Sequence, residues 1–466
     1  MSAINAVLHI AKESLLAQQK ALQVTGHNIA NANTEGYSRQ RVKLETAEPV
    51  SHLPGQLGLG VKVAEIKRVV DRFLSTQINE ETQANGRYES QKATLEKVEM
   101  IFYGEYFNDL FSRFWNAWDD LANNPTAQAE RTTLLGVSEE VASFLRKAYQ
   151  DLALLQKRDI GQGMRETVKE INRLTKEIAQ LNTKILAGEA GGQNANDFRD
   201  KRDLALTQLA QLINVNGFED SDGTLVILTT DGKTLVEGSS SWELVVGADK
   251  NGLETINWQD RDGNLYDITS RTTGGKLGGW IISRDQYIAS YKEDLNTFAK
   301  TLMDEINKLH RTGYGISIDP NTNEPYTGID FFTGTNASNI SVNSDLKADP
   351  GKIAAATAKD AIPGDNRNAL NIGALRYNYL LNSGTTTFDN FYQSLISRVG
   401  SDVKQSQNFY SHQQDMLTYL DGFRESVSGV SIDEEMMNLL VQQRAYQASA
   451  KVITTVNELL DSLLRI

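Results

Sequence analysis

The closing stretch Ser431–Ile466 reads SIDEEMMNLLVQQRAYQASAKVITTVNELLDSLLRI. Met436, Leu439, Gln443, Tyr446, Ala450, Ile453, Asn457, Leu460 and Leu464 recur in alternating steps of three and four. That spacing sets residues along one helix edge and is the signature of a coiled-coil seam. Ser431 and Glu434 form a capping box, in which each side chain satisfies an orphan backbone N–H of the other, so the helix is expected to start there. The opposite end repeats the pattern through Ile4, Leu8, Ala11, Leu15, Gln18, Leu22, Thr25 and Ile29. A seam buries its apolar row only against another helix, so the two ends are expected to pair. The chain stops on Leu463, Leu464, Arg465 and Ile466 without a capping glycine or polar tail, the pattern of a subunit completed by assembly.

Charge agrees with this pairing. Residues 1–45 hold five basic and three acidic side chains, and residues 431–466 hold three basic and five acidic, so the ends carry +2 and −2 within a net charge of −13. An acidic chain is repelled by nucleic acid and anionic lipid, so neither is an expected partner. No basic segment leads into an apolar one at the N-terminus, and no run of about 18 apolar residues occurs, so neither a cleaved signal nor a membrane span is expected.

Inside the ends the organisation is nested. Val42–Val70 reads as short strands and turns around Gly55, Gly58 and Gly60, and helical spacing returns from Val70. Phe107, Phe111, Phe114 and Trp118 fall on one helix face and read as core, as do Met164, Val168, Ile171, Ile178, Leu181 and Ile185. From Val215 the chain turns to β, with Asp222-Gly223, Asp231-Gly232 and Asp262-Gly263 as hairpin turns. Helix resumes at Arg284, a Gly-, Asn- and Thr-rich mixed region fills 312–386, and helix returns at Phe388. The expected fold is mainly α with a β insertion, an elongated multidomain α+β chain. Its parts are a terminal coiled-coil assembly domain (1–45 with 429–466), a helical rod domain (46–213 with 283–428) and a small outward β domain (214–282).

Catalytic patterns are missing. With no cysteine there is no disulfide, thiolate metal site or thiol nucleophile. Gly232, Gly275 and Gly351 lack the glycine five residues earlier that a phosphate-binding loop needs, and His9, His27, His52, His310 and His412 are scattered. Phe218 and Trp258 stand where the first ligand of a calcium loop would be, so the Asp-Gly runs read as turns. Glu434 and Glu435 are neighbours that point about 100° apart on a helix, and read as capping residues. No catalytic residue, cofactor or metal is expected.

The run Asn28–Gln40, NIANANTEGYSRQ, resembles the N-terminal motif of the bacterial flagellar rod, hook and hook-associated proteins, with Glu35 where that family commonly has proline. Asp433–Met436 with Leu439, followed by Gln443–Ile453, is similar to the same family's C-terminal signature, and Leu121–Pro125 with Arg131 extends the likeness. The resemblance implies a structural subunit and not an enzyme, placed between hook and filament. It implies an extracellular position in the flagellum, reached by the flagellar type III export channel without a cleaved signal. Expected partners are further copies of itself, the hook protein, a second hook–filament junction protein and an export chaperone at the C-terminal helix. The residues expected to carry assembly are the seam positions Ile4, Leu8, Leu15, Leu22, Ile29, Met436, Leu439, Tyr446, Ile453, Leu460 and Leu464, with the turn residues Asn31, Asn33, Gly36 and Tyr37. Rival readings are another axial subunit such as flagellin, a cell-wall hydrolase, or an adhesin acting through the insertion.

Overall fold

A computed structural model describes residues 3–52, 55–102 and 106–464. It is 64% helical with several small sheets, an elongated α-rich multidomain chain with a β insertion. Helix α1 (Ala3–Ala30) leads through the Asn31–Tyr37 turn into β1 (Gln40–Thr46), the short hairpin β2 (Val50–His52) and β3 (Gly55–Leu57), and β4 (Val61–Arg68). Strands β1 and β4 pair antiparallel from Gln40–Arg68 to Thr46–Val61 and lie along α1. The boundary expected at residue 45 falls inside this hydrogen-bonded ladder.

Helices α2 (Arg72–Phe102), α3 (Tyr106–Asn123), α4 (Gln128–Leu154), α5 (Ile160–Glu189) and α6 (Asn196–Leu212) build the body. Pro125 lies in the break between α3 and α4, where its missing N–H costs nothing. The aromatic face of α3 is core as expected: Phe107, Phe111, Phe114 and Trp118 are all buried, joined by Trp115. Phe107 stacks on Phe144 at 4.6 Å and Phe111 meets Phe298 at 5.3 Å, so this face locks three helices together.

The insertion comprises a four-stranded sheet, β5 (Val215–Glu219), β6 (Leu225–Thr229), β7 (Thr234–Glu237) and β8 (Ser240–Ser241), and a three-stranded sheet, β9 (Leu244–Ala248), β10 (Glu254–Gln259) and β11 (Leu265–Asp267). Gly223, Gly232 and Gly263 take positive φ in the expected hairpin turns, and Gly238 and Gly252 do so in two further turns. Two asparagines on α5 fasten the sheets. Asn182 Nδ2 donates to the Leu225 and Gly238 carbonyls while its Oδ1 accepts from Leu225 N–H, and Asn172 exchanges the same pair of bonds with Leu244. Ile227, Leu235, Val236 and Ile256 join the same hydrophobic core as α3–α5. The insertion is thus anchored on the helical body. Its last residues are helical: α7 (Gly275–Ile282) runs through a wide turn into α8 (Ala289–Thr312), ahead of the expected restart at Arg284.

The mixed region holds hairpins β12 (Tyr314–Asp319) with β13 (Glu324–Thr327) and β14 (Phe332–Thr333) with β15 (Ser341–Val342), then α9 (Ser344–Ala348) and α10 (Arg367–Gly373). It is pinned by His310 at the end of α8, whose ring is fully buried. His310 Nδ1 donates to the Ile329 carbonyl at 2.7 Å, and Nε2 accepts from Ala354 N–H at 3.0 Å, an arrangement that only the neutral imidazole satisfies. Burial pushes its pKa down to about 4. Above the ordinary value near 6.5 the ring is neutral folded or unfolded and its contribution is intact. As pH falls from there toward 4 the unfolded chain binds a proton that the folded one refuses, and stability drops by a limiting amount of about 3 kcal/mol. Urea unfolding between pH 7 and 4 should register this loss in wild type, and His310→Gln should flatten it.

Helix α11 (Phe388–Ser428) returns antiparallel along α2, and α12 (Ile432–Leu464) closes the chain. At about 1.5 Å per residue α11 spans roughly 60 Å. Its N-terminal half joins the main core through Phe391, Tyr392, Leu395 and Val399. Its C-terminal half meets α2 in a small separate cluster of Leu74, Ile78 and Leu420.

Candidate functional site: the paired termini and their turn

Helices α1 and α12 pack side by side and antiparallel. Three contacts set the register: the Ser14 and Ser449 hydroxyls at 2.8 Å, Thr25 Oγ1 donating to Gln442 Oε1 at 3.1 Å, and Asn28 Nδ2 donating to Glu435 Oε2 at 2.9 Å. The pairing row on α12 therefore passes through Glu435, Gln442 and Ser449, with Leu439, Ile453 and Leu460 half-buried beside it. Met436 and Tyr446, expected in the seam, lie outside it, 55% and 39% exposed. The polar contacts rotate the helix so that these two side chains face away. On α1, Ile4, Leu8, Leu15, Leu22 and Ile29 are all half-buried, while the fully buried apolar residues are Ala11, Ala17, Ala21 and Val24. The side chain of Leu464 lies outside the described residues.

The turn after α1 organises this pairing around Asn28, which is buried and fully bonded. Its Nδ2 also donates to the Gln40 carbonyl at 2.9 Å. Its Oδ1 accepts from Gln40 N–H at 2.9 Å and from the Tyr37 hydroxyl at 2.8 Å. One amide thus ties α1, the turn, β1 and α12 together. Burial first, then the carboxylates of Asp197, Asp200 and Glu435, raises the Tyr37 phenol above its ordinary pKa, so it stays a hydrogen-bond donor. Gly36 takes φ +75°, and a Cβ there would sit 3.1 Å from Leu204. Asn31 Nδ2 donates to the His27 carbonyl at 3.0 Å, and Tyr37 N–H closes the turn on the Thr34 carbonyl, with Glu35 accommodated at the tip. Asn33 is exposed and has no side-chain hydrogen bond among the described residues. Gly36→Val is expected to cost the terminal unit roughly 1–3 kcal/mol through backbone strain and the Leu204 contact. Faster amide exchange at Gln40 and Asn28 in the assembled protein would report it.

The capping box forms only by half. Glu434 N–H reaches Ser431 Oγ at 3.4 Å, but the Glu434 carboxylate is drawn across the chain to Arg39 Nη1 at 2.8 Å and Arg41 Nη2 at 2.7 Å. The Arg41 hydrogen bond and the Arg39 charge hold its carboxyl below the usual range, so this clamp is present at neutral pH and is lost only in acid. Arg39 also donates from Nη2 to the Val427 carbonyl, and its backbone N–H reaches the Ser428 carbonyl. On the other side Asp200 accepts from Ser38 N–H and Arg68, and Asp197 accepts from Gln40 Nε2. Asn28, Arg39, Gln40, Asp200, Glu434 and Glu435 are thus site residues that periodicity alone passes over. Glu434 and Glu435 had read as caps. The signal that covered all of them but Asp200 was the family likeness of Asn28–Gln40 and of Asp433–Met436.

The turn and the helix pair that it fastens match two short family models, "Flagella basal body rod protein" over residues 8–37 and "Flagellar basal body rod FlgEFG protein C-terminal" over residues 424–466. The model of the "Flagellar hook-associated protein FlgK helical domain" matches residues 95–332, just over half of the chain and including the β insertion. The chain belongs to the FlgK family of flagellar hook-associated proteins. It is 27% identical to "Flagellar hook-associated protein 1" of Escherichia coli strain K12, over 99% of this chain and all of the relative. It is 26% identical to the protein of that name in Bacillus subtilis strain 168, over 98% and 97%. A solved structure of the flagellar hook junction protein FlgK from Burkholderia pseudomallei shares the fold, with a TM-score of 0.66 at 16% identity over 76% of this chain and all of that one. Membership in the FlgK family makes the chain a structural axial protein of the bacterial flagellum, not an enzyme, and one that assembles with other flagellar components. No described helix is long and apolar enough to cross a membrane.

Proposed function

We propose that this FlgK-family chain forms the layer joining hook to filament, and that it assembles through its paired termini. One observation carries the mechanism: the α1–α12 pair is only half closed. Seam leucines and isoleucines on both helices keep part of their surface in water, and Met437, Leu440, Val441 and Leu459 form an exposed apolar row along α12. Monomers rarely leave such a strip uncovered, and covering it stabilises by about 25 cal/mol per Å². Burial against neighbouring copies closes the seam without ordering more chain, so stability of the ends is coupled to addition at the growing tip.

Hook protein on one side and a second junction protein on the other are the partners of the finished layer. Before secretion an export chaperone covers α12, and the chain leaves by the flagellar type III channel. Electron microscopy of cells lacking this protein tests the reading: complete hooks without filaments, and flagellin lost to the medium, are expected. Retained filaments would overturn it. Deleting residues 431–466 should abolish chaperone binding in a pull-down from the cytosol.

A further inference from the structure

We propose that the β insertion holds the turn after α1 in place through α6, and so helps to seat the terminal helices on the body. It rests on the assembly reading only for what that turn does. Helix α6 carries two unlike faces. Asp197, Asp200 and Leu204 follow one another at helical spacing and meet the turn. Asp197 accepts from Gln40 Nε2, Asp200 accepts from Ser38 N–H at 3.0 Å and from Arg68 of β4 at 2.7 Å, and Leu204 lies beneath Gly36. Arg199, Arg202 and Leu206 repeat the spacing two residues on, about 160° around the helix, and meet the insertion. Arg202 donates to Glu219 of β5 at 2.5 Å and to the Gly223 carbonyl at 2.8 Å, Arg199 also reaches Glu219, and Leu206 lies beneath Gly217.

One carboxylate links the two faces. Arg202 is 1% exposed, and among the described residues Glu219 is the only carboxylate within hydrogen-bond distance of it. The next nearest is Asp203, 3.9 Å from Arg202 Nε, which instead accepts from Arg68 at 2.8 Å. Asp203 therefore stands between an arginine of the terminal unit and an arginine that faces the insertion. A buried charge deprived of its partner is strongly destabilising, so Arg202 without Glu219 takes the nearest substitute. That substitute is drawn from Arg68, whose remaining partner Asp200 also holds Ser38 N–H. The insertion thus supplies the negative charge that leaves the acidic residues of α6 free for the turn.

Hydrogen exchange on the purified full-length chain, read by mass spectrometry, tests the coupling. Glu219→Gln keeps the side chain's shape and removes its charge. Fragments covering 37–41 should then exchange at least about fivefold faster than in wild type, while fragments of α3 keep their rate. Glu243→Gln breaks a different ion pair of the insertion, with Lys176 of α5, and should leave 37–41 unchanged. Coupling between two sites is reciprocal, so Arg68→Met in β4 should accelerate exchange across 219–225 in the insertion. Should Glu219→Gln fail to fold, the Arg68→Met arm decides alone. Unchanged exchange at 37–41 in the first variant, or at 219–225 in the last, would overturn the proposal. Acceleration by Glu243→Gln, or an equal rise in α3, would overturn it by showing general loosening. A wild-type turn already unprotected in the free chain would do so too, because a turn not seated on α6 transmits nothing. All of these leave the assembly reading standing, and that reading fails separately if cells without the chain keep their filaments.

Discussion

Asn28→Leu is expected to release α12 from the N-terminal unit at a cost of about 3–5 kcal/mol, since each buried group left without its hydrogen bond costs roughly 1–3 kcal/mol. The substitution nearly conserves volume, so the loss is polar. The Glu435 carboxylate, the Gln40 N–H and carbonyl, and the Tyr37 hydroxyl all lose a bond at a site where Asn28, Gln40 and Glu435 are buried. Protease cleavage within 432–464 should accelerate, and swimming on soft agar should fail. A double-mutant cycle separates this from simple misfolding. Glu435→Leu alone should be nearly as damaging, whereas the Asn28→Leu, Glu435→Leu pair should cost well under the sum because it removes both ends of the bond. Additive losses would mean that the two residues do not act together.

Arg131→Met is the second large effect, expected to destabilise the helical body by about 3–5 kcal/mol in chemical denaturation. Arg131 is buried and has no carboxylate within ion-pair distance among the described residues. Its Nη2 donates to the Pro125 carbonyl at 2.7 Å, and its Nη1 to those of Ile353 at 2.8 Å and Pro350 at 3.3 Å. Burial lowers its pKa to about 10, which still leaves the guanidinium charged at neutral pH. Carbonyls of two segments more than two hundred residues apart are therefore held by one planar fork. Methionine fills the space but donates nothing. Lysine, with one ammonium, cannot span all three acceptors, so Arg131→Lys should recover only part of the loss.

Much of the fold was legible in the chain because its signals are local. A helix face is set by residues three and four apart, so the aromatic row of α3 and the stripe on α5 read as core from spacing alone and are buried. Hairpins announced themselves through Asp-Gly pairs whose glycines take positive φ. Domain limits were less legible. The β1–β4 ladder crosses residue 45, and α7 begins inside the expected β segment, because strand pairing and sheet-on-helix packing depend on partners distant in sequence.

The candidate site divides along the same line. Periodicity determined that both ends are amphipathic helices with an apolar edge, and the family likeness of Asn28–Gln40 and of Asp433–Ile453 pointed to the flagellar axis. Only the tertiary structure decided how the two helices are rotated against each other. Asn28 and Glu435 set that rotation from 407 positions apart, turning Met436 and Tyr446 outward and drawing Glu434 from its cap to Arg39 and Arg41. A hydrogen bond between distant residues leaves no period in the sequence, which is why the edges could be read in advance and their meeting could not.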